Sequence, residues 1–379
     1  MKSERKYQQC VRCVMDTTDS KIVFDKDGVC DHCLNYDQKI IPIWNTGAKG
    51  KENLDKLVKK IKKDGKGKEY DCIIGISGGV DSSYLLYYAK EVLGLRPLAY
   101  SVDTGWTLPV AARNVNNIVD KLGLKLHSNK IDFEQMADLQ LAFFKSQVPY
   151  QDMPQDHVIF AALYNTAVKH KIKHVLTGGN FSTEGVREPN EWVHQNDLRL
   201  MKDIHKKFGK SKINHLPLTS IFKYRIYYRF FKGMKVHKPL DQIKYVKNDI
   251  IRELIEKFDY EPYTNKHFES IFTRYYEGYW LIEKFGYDKR KAHFSSLILS
   301  NQLSRKEALN IMKNPPYPIE QAMEDEEYIV KKLGISQKEF QKLMEEPNKT
   351  YKDYKNSLFL INAAVKFAQI IGMEKRNFR

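Results

Sequence analysis

The sequence predicts an α/β protein: a parallel sheet with helices on both faces, preceded by a small zinc ribbon and followed by a helical C-terminal region. Three observations carry this reading. Apolar strand-like runs alternate with helical patterns between residues 70 and 180, the pattern of a doubly wound sheet. Four of the five cysteines fall as two C-x-x-C pairs inside the first 33 residues. From Tyr224 onward the strand signal ends and helices rich in Tyr, Phe and Lys follow. The 379 residues leave room for two or three domains, with divisions expected at 1–45 for the ribbon, 46–235 for the α/β domain and 236–379 for the helical region.

Taken in order, Cys10-x-x-Cys13 and Cys30-x-x-Cys33 supply four thiolates at the spacing of a closed tetrahedral zinc site. With every coordination position filled by the protein, such a zinc is structural. Gly28 stands where the second knuckle needs a tight turn. Residues 42–50 read as a linker and a basic helix follows to about Lys63. YDCIIGI (70–76) is a buried strand, and SSYLLYYAKEVLG (82–94) a helix closed by Gly94. RPLAYSVD (96–103) and LKLHSNKID (124–132) are strands, separated by a helix over 108–123 that again ends on Gly. VIFAALYNTAVKHK (158–171) is a helix, and IKHVLTGGN (172–180) a fourth strand running into glycines.

Composition narrows the setting. Apolar residues make up 42%, and no uncharged run approaches the roughly 18–20 residues of a membrane span. The start, MKSERKYQQC, carries charge with no apolar stretch behind it, so a cytoplasmic protein is expected. The formal charge of +16 invites a nucleic-acid partner. Against that, Lys and Arg are spread along the chain among 47 acidic residues, and the densest run (49–68) reads as one solvated amphipathic helix. Steering of a small anionic ligand is the preferred reading.

The informative stretch is IIGISGGVDSSYLL (73–86), where a buried strand breaks at two glycines and restarts as a helix. Ligands of open parallel sheets bind beyond the carboxyl ends of the strands, where helix N-termini point. Gly78 and Gly79 let main chain approach an anion without a Cβ in the way. Amides of the turn and of the first helical residues then face phosphate oxygens, and Ser77, Ser82 and Ser83 add hydroxyls. Asp81 would repel a phosphate directly, so it makes sense as a ligand of Mg2+ bridging phosphates. The stretch is neither G-x-x-x-x-G-K-[ST] nor G-x-G-x-x-G.

S-G-G-V-D-S-S after a buried strand resembles the pyrophosphate-binding loop of the ATP pyrophosphatase (PP-loop) superfamily, with its adenine nucleotide alpha hydrolase-like fold. The resemblance implies that ATP adenylylates a carbonyl or amide oxygen, that residues 77–83 grip the β,γ-phosphates, and that Val102 and Asp103 lie at the adenine and ribose. The order C-V-R-C-V-M-D-T-T-D, F-D-K-D-G-V-C-D-H-C, V-D-T-G-W (102–106), T-G-G-N (177–180, with Gly178) and F-G-Y-D-K-R (285–290) resembles one branch: the N-acetyl sugar amidotransferases of bacterial surface-polysaccharide biosynthesis, including lipopolysaccharide O-antigen. That branch implies conversion of an acetamido group on a sugar, with a UDP-linked sugar expected, into an acetamidino group, with ammonia from a separate glutaminase subunit.

Cysteine usage agrees independently. A built-in glutaminase needs a nucleophilic Cys, yet position 2 is Lys, four cysteines belong to the ribbon, and Cys72 lies inside a strand. The same count weakens a tRNA thiolase, while a tRNA-modifying enzyme that adenylylates a base and transfers another nucleophile stays open as the alternative. Candidate cations are Lys289 and Arg290, with His293 nearby, for the α-phosphate or a sugar-linked phosphate; against this, DKRKAH also reads as a solvated helix start. Glu184 is a candidate to deprotonate ammonium or bind sugar hydroxyls, or else a plain loop carboxylate. Trp106 is open between stacking on a ring and packing under a lid, and the aromatics of FTRYYEGYW (272–280) read as core.

Overall fold

Ile73 and Ile74 are fully buried on opposite faces of one short strand, which is why the run reads as continuously apolar rather than alternating. This strand, β1 (Cys72–Gly75), sits at the centre of a parallel sheet with β2 (Pro97–Asp103), β3 (Leu126–Lys130), β4 (His174–Leu176) and β5 (Lys235–His237). The order is β3-β2-β1-β4-β5, with Ile74 paired to Ala99 on one side and to Leu176 on the other. The computed structural model describes residues 5–193, 197–359 and 363 of the chain.

One face of the sheet is covered by the helices Val80–Tyr87, Pro109–Lys121 and Lys247–Phe258, through Leu85, Val115, Ile118 and Leu254. The other is covered by Met153–Lys169 and by a wide-turned helix, Lys223–Phe231, through Ala162, Leu163 and Tyr228. The boundary expected at 235 falls inside β5, and the helix 247–258 beyond it belongs to the sheet's cover. A three-residue edge strand, KVH, with one apolar residue between a lysine and a histidine carries no periodic signal. The helix Phe133–Lys145, capped by Asp132 accepting from the Gln135 amide at 3.2 Å, was not expected from the sequence.

That helix is what joins the C-terminal region to the sheet domain. Phe144 and Trp106 pack with Phe272, Tyr275, Tyr276 and Trp280, and with Ile329 and Phe340 of two later helices. The 272–280 aromatics are therefore core. The N-terminal ribbon is equally bound in: Cys10, Cys13, Cys30 and Cys33 share a cluster with Trp192, Ala292 and Leu299. Arg305 donates to the Cys10 and Cys13 carbonyls at 2.8 and 2.9 Å.

Candidate functional site

The sheet order reverses direction at β1: the chain moves from β1 outward to β2 on one side, and returns to β4 on the other. Loops at such a point diverge and leave a crevice. Ser77–Ser82 follows β1 and Thr177–Asn180 follows β4, and both line a cleft of about 1280 Å³ at the carboxyl edge.

The loop is built for close approach. Gly78 has φ +88°, and a Cβ there would stand 2.5 Å from the Ala111 carbonyl oxygen. A Cβ on Gly79 would lie 1.7 Å from Glu269 Oε1, and one on Gly178 2.7 Å from the Asp81 main chain. The two glycine turns thus interlock. Ser77 Oγ accepts from the Gly79 amide and Ser82 Oγ donates to the Gly79 carbonyl, fixing the turn. Val80, Asp81 and Ser82 form the first turn of the helix, whose amides have no partner within a helix. Ser83, by contrast, is fully buried and does not line the cleft.

Asp81 is the electrostatic centre. The Tyr245 hydroxyl donates to its Oδ1, Asn180 Nδ2 stands 3.4 Å from the same oxygen, and Lys266 Nζ lies 3.0 Å from Oδ2. Lys266 also reaches Glu184 Oε1 at 2.7 Å, while Lys238 stands 3.8 Å from Glu184 Oε2. Burial pushes the Asp81 carboxyl up, but Lys266 and then the Tyr245 hydroxyl outweigh it and hold the group below the usual range. Glu184 behaves likewise, burial being overcome chiefly by Lys266. Burial and the neighbouring Lys247 and Lys266 keep His293 neutral well below its ordinary value; its Nδ1 is 3.3 Å from the Thr183 carbonyl and its Nε2 3.4 Å from Lys247 Nζ.

Not every expected residue gathers here. Val102 and Gly178 line the cleft, whereas Asp103 turns back to accept from the Gly105 amide at 2.8 Å. Lys289 and Arg290 line a second, smaller cavity of about 420 Å³, and Glu184, Lys266 and His293 stand on the wall it shares with the first. Both cations there are engaged: Lys289 pairs with the buried Glu277, and Arg290 grips Asp288 at 2.7 and 3.0 Å. Trp106 is buried and donates to Gln140 Oε1 at 2.8 Å, so it is core rather than a stacking platform. Sequence reasoning missed Tyr245, Lys247, Lys266 and Glu269. They come from loops and helix starts after β5 that carry no motif, and folding alone brings them over the glycine turn.

The four thiolates form the one candidate metal cluster found among the described residues, all within 4.8 Å of one another. Sulfur separations of 3.5, 3.7 and 3.8 Å match the edge of about 3.8 Å that a tetrahedron with metal–sulfur bonds of about 2.3 Å requires. Main-chain amides of Arg12, Cys13 and Cys30 point at Cys10 Sγ at 3.2–3.4 Å, and Gly28 makes the tight turn with φ +79°. The donor set fits zinc. Cys72 is fully buried in β1, and burial pushes its thiol up, so it is an inert hydrophobe.

Comparison with known proteins bears on the C-terminal region. Residues 269–368 match the family model "LPS biosynthesis protein WbpG-like, C-terminal domain". This WbpG-like segment includes Glu269, which stands against the glycine turn, and Lys289 and Arg290 of the second cavity, and the match supports the resemblance drawn from the motifs. Among curated proteins, the uncharacterized protein MJ1599 of Methanocaldococcus jannaschii is 26% identical over 188 residues, 49% of this chain. The chain spans 64% of that relative's length. Among solved structures, the NH3-dependent NAD synthetase from Campylobacter jejuni is 16% identical over 55% of this chain and 85% of that one, with a TM-score of 0.29.

Proposed function

We propose that the chain is an ATP-dependent amidotransferase that adenylylates the acetamido oxygen of an N-acetylated, nucleotide-linked sugar and installs ammonia to give an acetamidino sugar. The observation that carries this reading is the glycine turn at the sheet's reversal point with Asp81 and Lys266 closed over it. The WbpG-like match to lipopolysaccharide biosynthesis supports the substrate class.

An amide is a poor electrophile because its nitrogen donates into the carbonyl. In the proposed reaction the acetamido oxygen attacks the α-phosphorus of ATP, the α–β bridging bond breaks, and pyrophosphate leaves with the bond's electron pair. The amide nitrogen gives up its proton, leaving an O-adenylyl imidate. Ammonia adds to the imidate carbon, AMP departs, and the resulting amidine takes up a proton. The amides of residues 79–82 and the hydroxyls of Ser77 and Ser82 bind the departing pyrophosphate. Lys266 and Lys247 meet the negative charge that develops there. Holding both reactants in place is worth on the order of 7–11 kcal/mol.

Mg2+ is held elsewhere in proteins by one or two carboxylates plus phosphate oxygens, and Asp81 with Glu184 offers that set on the cleft wall. When bound there it would neutralise charge on the β,γ-phosphates. Glu184, on the wall between the two cavities, is placed to bind sugar hydroxyls or take a proton from ammonium. The second cavity, with Lys289 and Arg290, is the proposed acceptor pocket. Ammonia comes from a glutaminase partner, since four cysteines are clustered and Cys72 is sealed in the sheet.

The test is mass spectrometry of UDP-N-acetyl sugars incubated with ATP, magnesium and ammonium chloride. The expected product is lighter by the difference between O and NH, and Asp81→Asn abolishes it. Unchanged sugars alongside adenylylation of tRNA would favour the tRNA-modifying reading instead, for which the +16 charge is the supporting observation.

A further inference from the structure

Between Asp203 and Asp241 the chain carries ten Lys and Arg residues and no carboxylate. At the centre of this stretch lies the helix Lys223–Phe231, immediately before the edge strand β5. Its inner side is Tyr224 and Tyr228, whose rings sit 5.3 and 5.6 Å from Tyr164 of the helix beneath. Its outer side is apolar and bare: Phe230 is 78% exposed, Phe231 70% and Phe222 64%, with Ile226 and Tyr227 between them.

The cations border this apolar strip. Lys223 lies over the Tyr228 ring at 5.4 Å, Arg225 over Tyr224 at 5.9 Å and Lys232 over Tyr227 at 5.2 Å. Their stems thus lie along the protein while their charges stay at the margin. The same edge carries exposed Val236 of β5 and Phe160. The basic helix Ala48–Asp64 is held to the strand next to β5 through Asp64, which accepts from His174 of β4 at 2.9 Å.

We propose that the helix 223–231 docks this protein on an anionic phospholipid surface. Large exposed apolar side chains on one helix, edged by cations and with no carboxylate in the same stretch of chain, match a helix lying in the membrane interface with phosphates at its flanks. Charge complementarity selects the anionic surface. Ile226, Phe222, Phe230 and Phe231 offer no hydrogen-bonding group to a duplex groove or its phosphates, which disfavours a double-stranded nucleic acid. No described helix is long and apolar enough to cross a membrane, so the contact is peripheral. Phe160 and Val236 also line the large cleft, so docking sets the cleft mouth beside the lipid.

The test is co-sedimentation of the full chain with vesicles of phosphatidylcholine alone and of phosphatidylcholine mixed with phosphatidylglycerol. Binding is expected only with the mixed vesicles and weakens as salt rises. Phe230→Ser with Phe231→Ser weakens it at least about tenfold, and Arg225→Gln, Arg229→Gln or Lys232→Gln each about fivefold. AMP release from ATP in solution stays unchanged in these variants. Absence of vesicle binding would overturn the proposal. So would undiminished vesicle binding by the variants, or tRNA retention or self-association that the Phe changes abolish while vesicles are ignored.

Discussion

The ammonium of Lys266 lies 3.0 Å from the carboxylate of Asp81 and, from a loop 185 positions further along the chain, closes over the glycine turn. It bridges to Glu184 at 2.7 Å, so one lysine offsets part of the charge of two carboxylates that would otherwise repel an anionic ligand. Lys266→Met is expected to slow pyrophosphate release about 10²–10³-fold, the scale of losing one preorganised charge in a reacting pocket. Lys266→Arg is expected to recover part of it. Steady-state release of pyrophosphate from ATP measures both.

The same triad has a pH signature. Asp81 and Glu184 sit below their ordinary values of 3.8 and 4.5. Their contribution to stability is present above those values and is lost as pH falls through the lower folded-state values. Burial pulls Lys266 down, but Asp81 and Glu184 hold it above its ordinary 10.5. Its contribution is present below 10.5 and is lost as pH rises through the higher folded value. The difference in urea midpoint between the unaltered protein and Lys266→Met should therefore be widest between about pH 5 and 10 and shrink as pH falls below or rises above that window.

Lys289 and Arg290 should respond differently from each other. Lys289→Met leaves Glu277 buried beside its other neighbours without its nearest cation, at an expected cost of about 3–5 kcal/mol. The double change with Glu277→Gln should restore most of it. Arg290→Ala frees the less confined Asp288 and breaks the 2.9 Å bond to the Asn314 carbonyl, costing about 1–2 kcal/mol. Chemical denaturation of the four proteins gives the comparison.

Gly78 and Gly79 separate two kinds of crowding. A Cβ at 78 meets main chain at Ala111 and needs a φ of +88°, so Gly78→Ala is expected to cost about 1–3 kcal/mol and to abolish ATP binding. A Cβ at 79 meets the far end of the Glu269 side chain, which can swing aside. Gly79→Ala should fold nearly as well yet bind ATP weakly, and Glu269→Ala should relieve part of that defect. Calorimetric titration with ATP tests the pair.

The zinc ribbon should prove structural. Its thiolates share a buried cluster with Trp192, Ala292 and Leu299, so Cys30→Ser is expected to lose the metal and at least about 3 kcal/mol of stability. One zinc per chain by elemental analysis, with a lower melting temperature in the variant, would agree with this.

What the sequence disclosed follows from range. The glycine turn, its serines and Asp81 sit within seven positions, and the cysteines in two short pairs, so their chemistry is written locally. The first four strands were legible from strand-like runs alternating with helical patterns, two of them closed by Gly. β5 was not, because a three-residue edge strand has no period to read. Lys266, Tyr245 and Glu269 reach the site only through packing of the helices after β5, and no local pattern marks them. Lys289 and Arg290 looked free in one dimension; Glu277, twelve residues earlier, and Asp288 claim them in three.

The most direct measurement is 31P NMR of the nucleotide products formed with the acetamido sugar, ammonium and magnesium present. The account predicts AMP and pyrophosphate in equal amounts, both absent with Asp81→Asn. ADP and orthophosphate would contradict it.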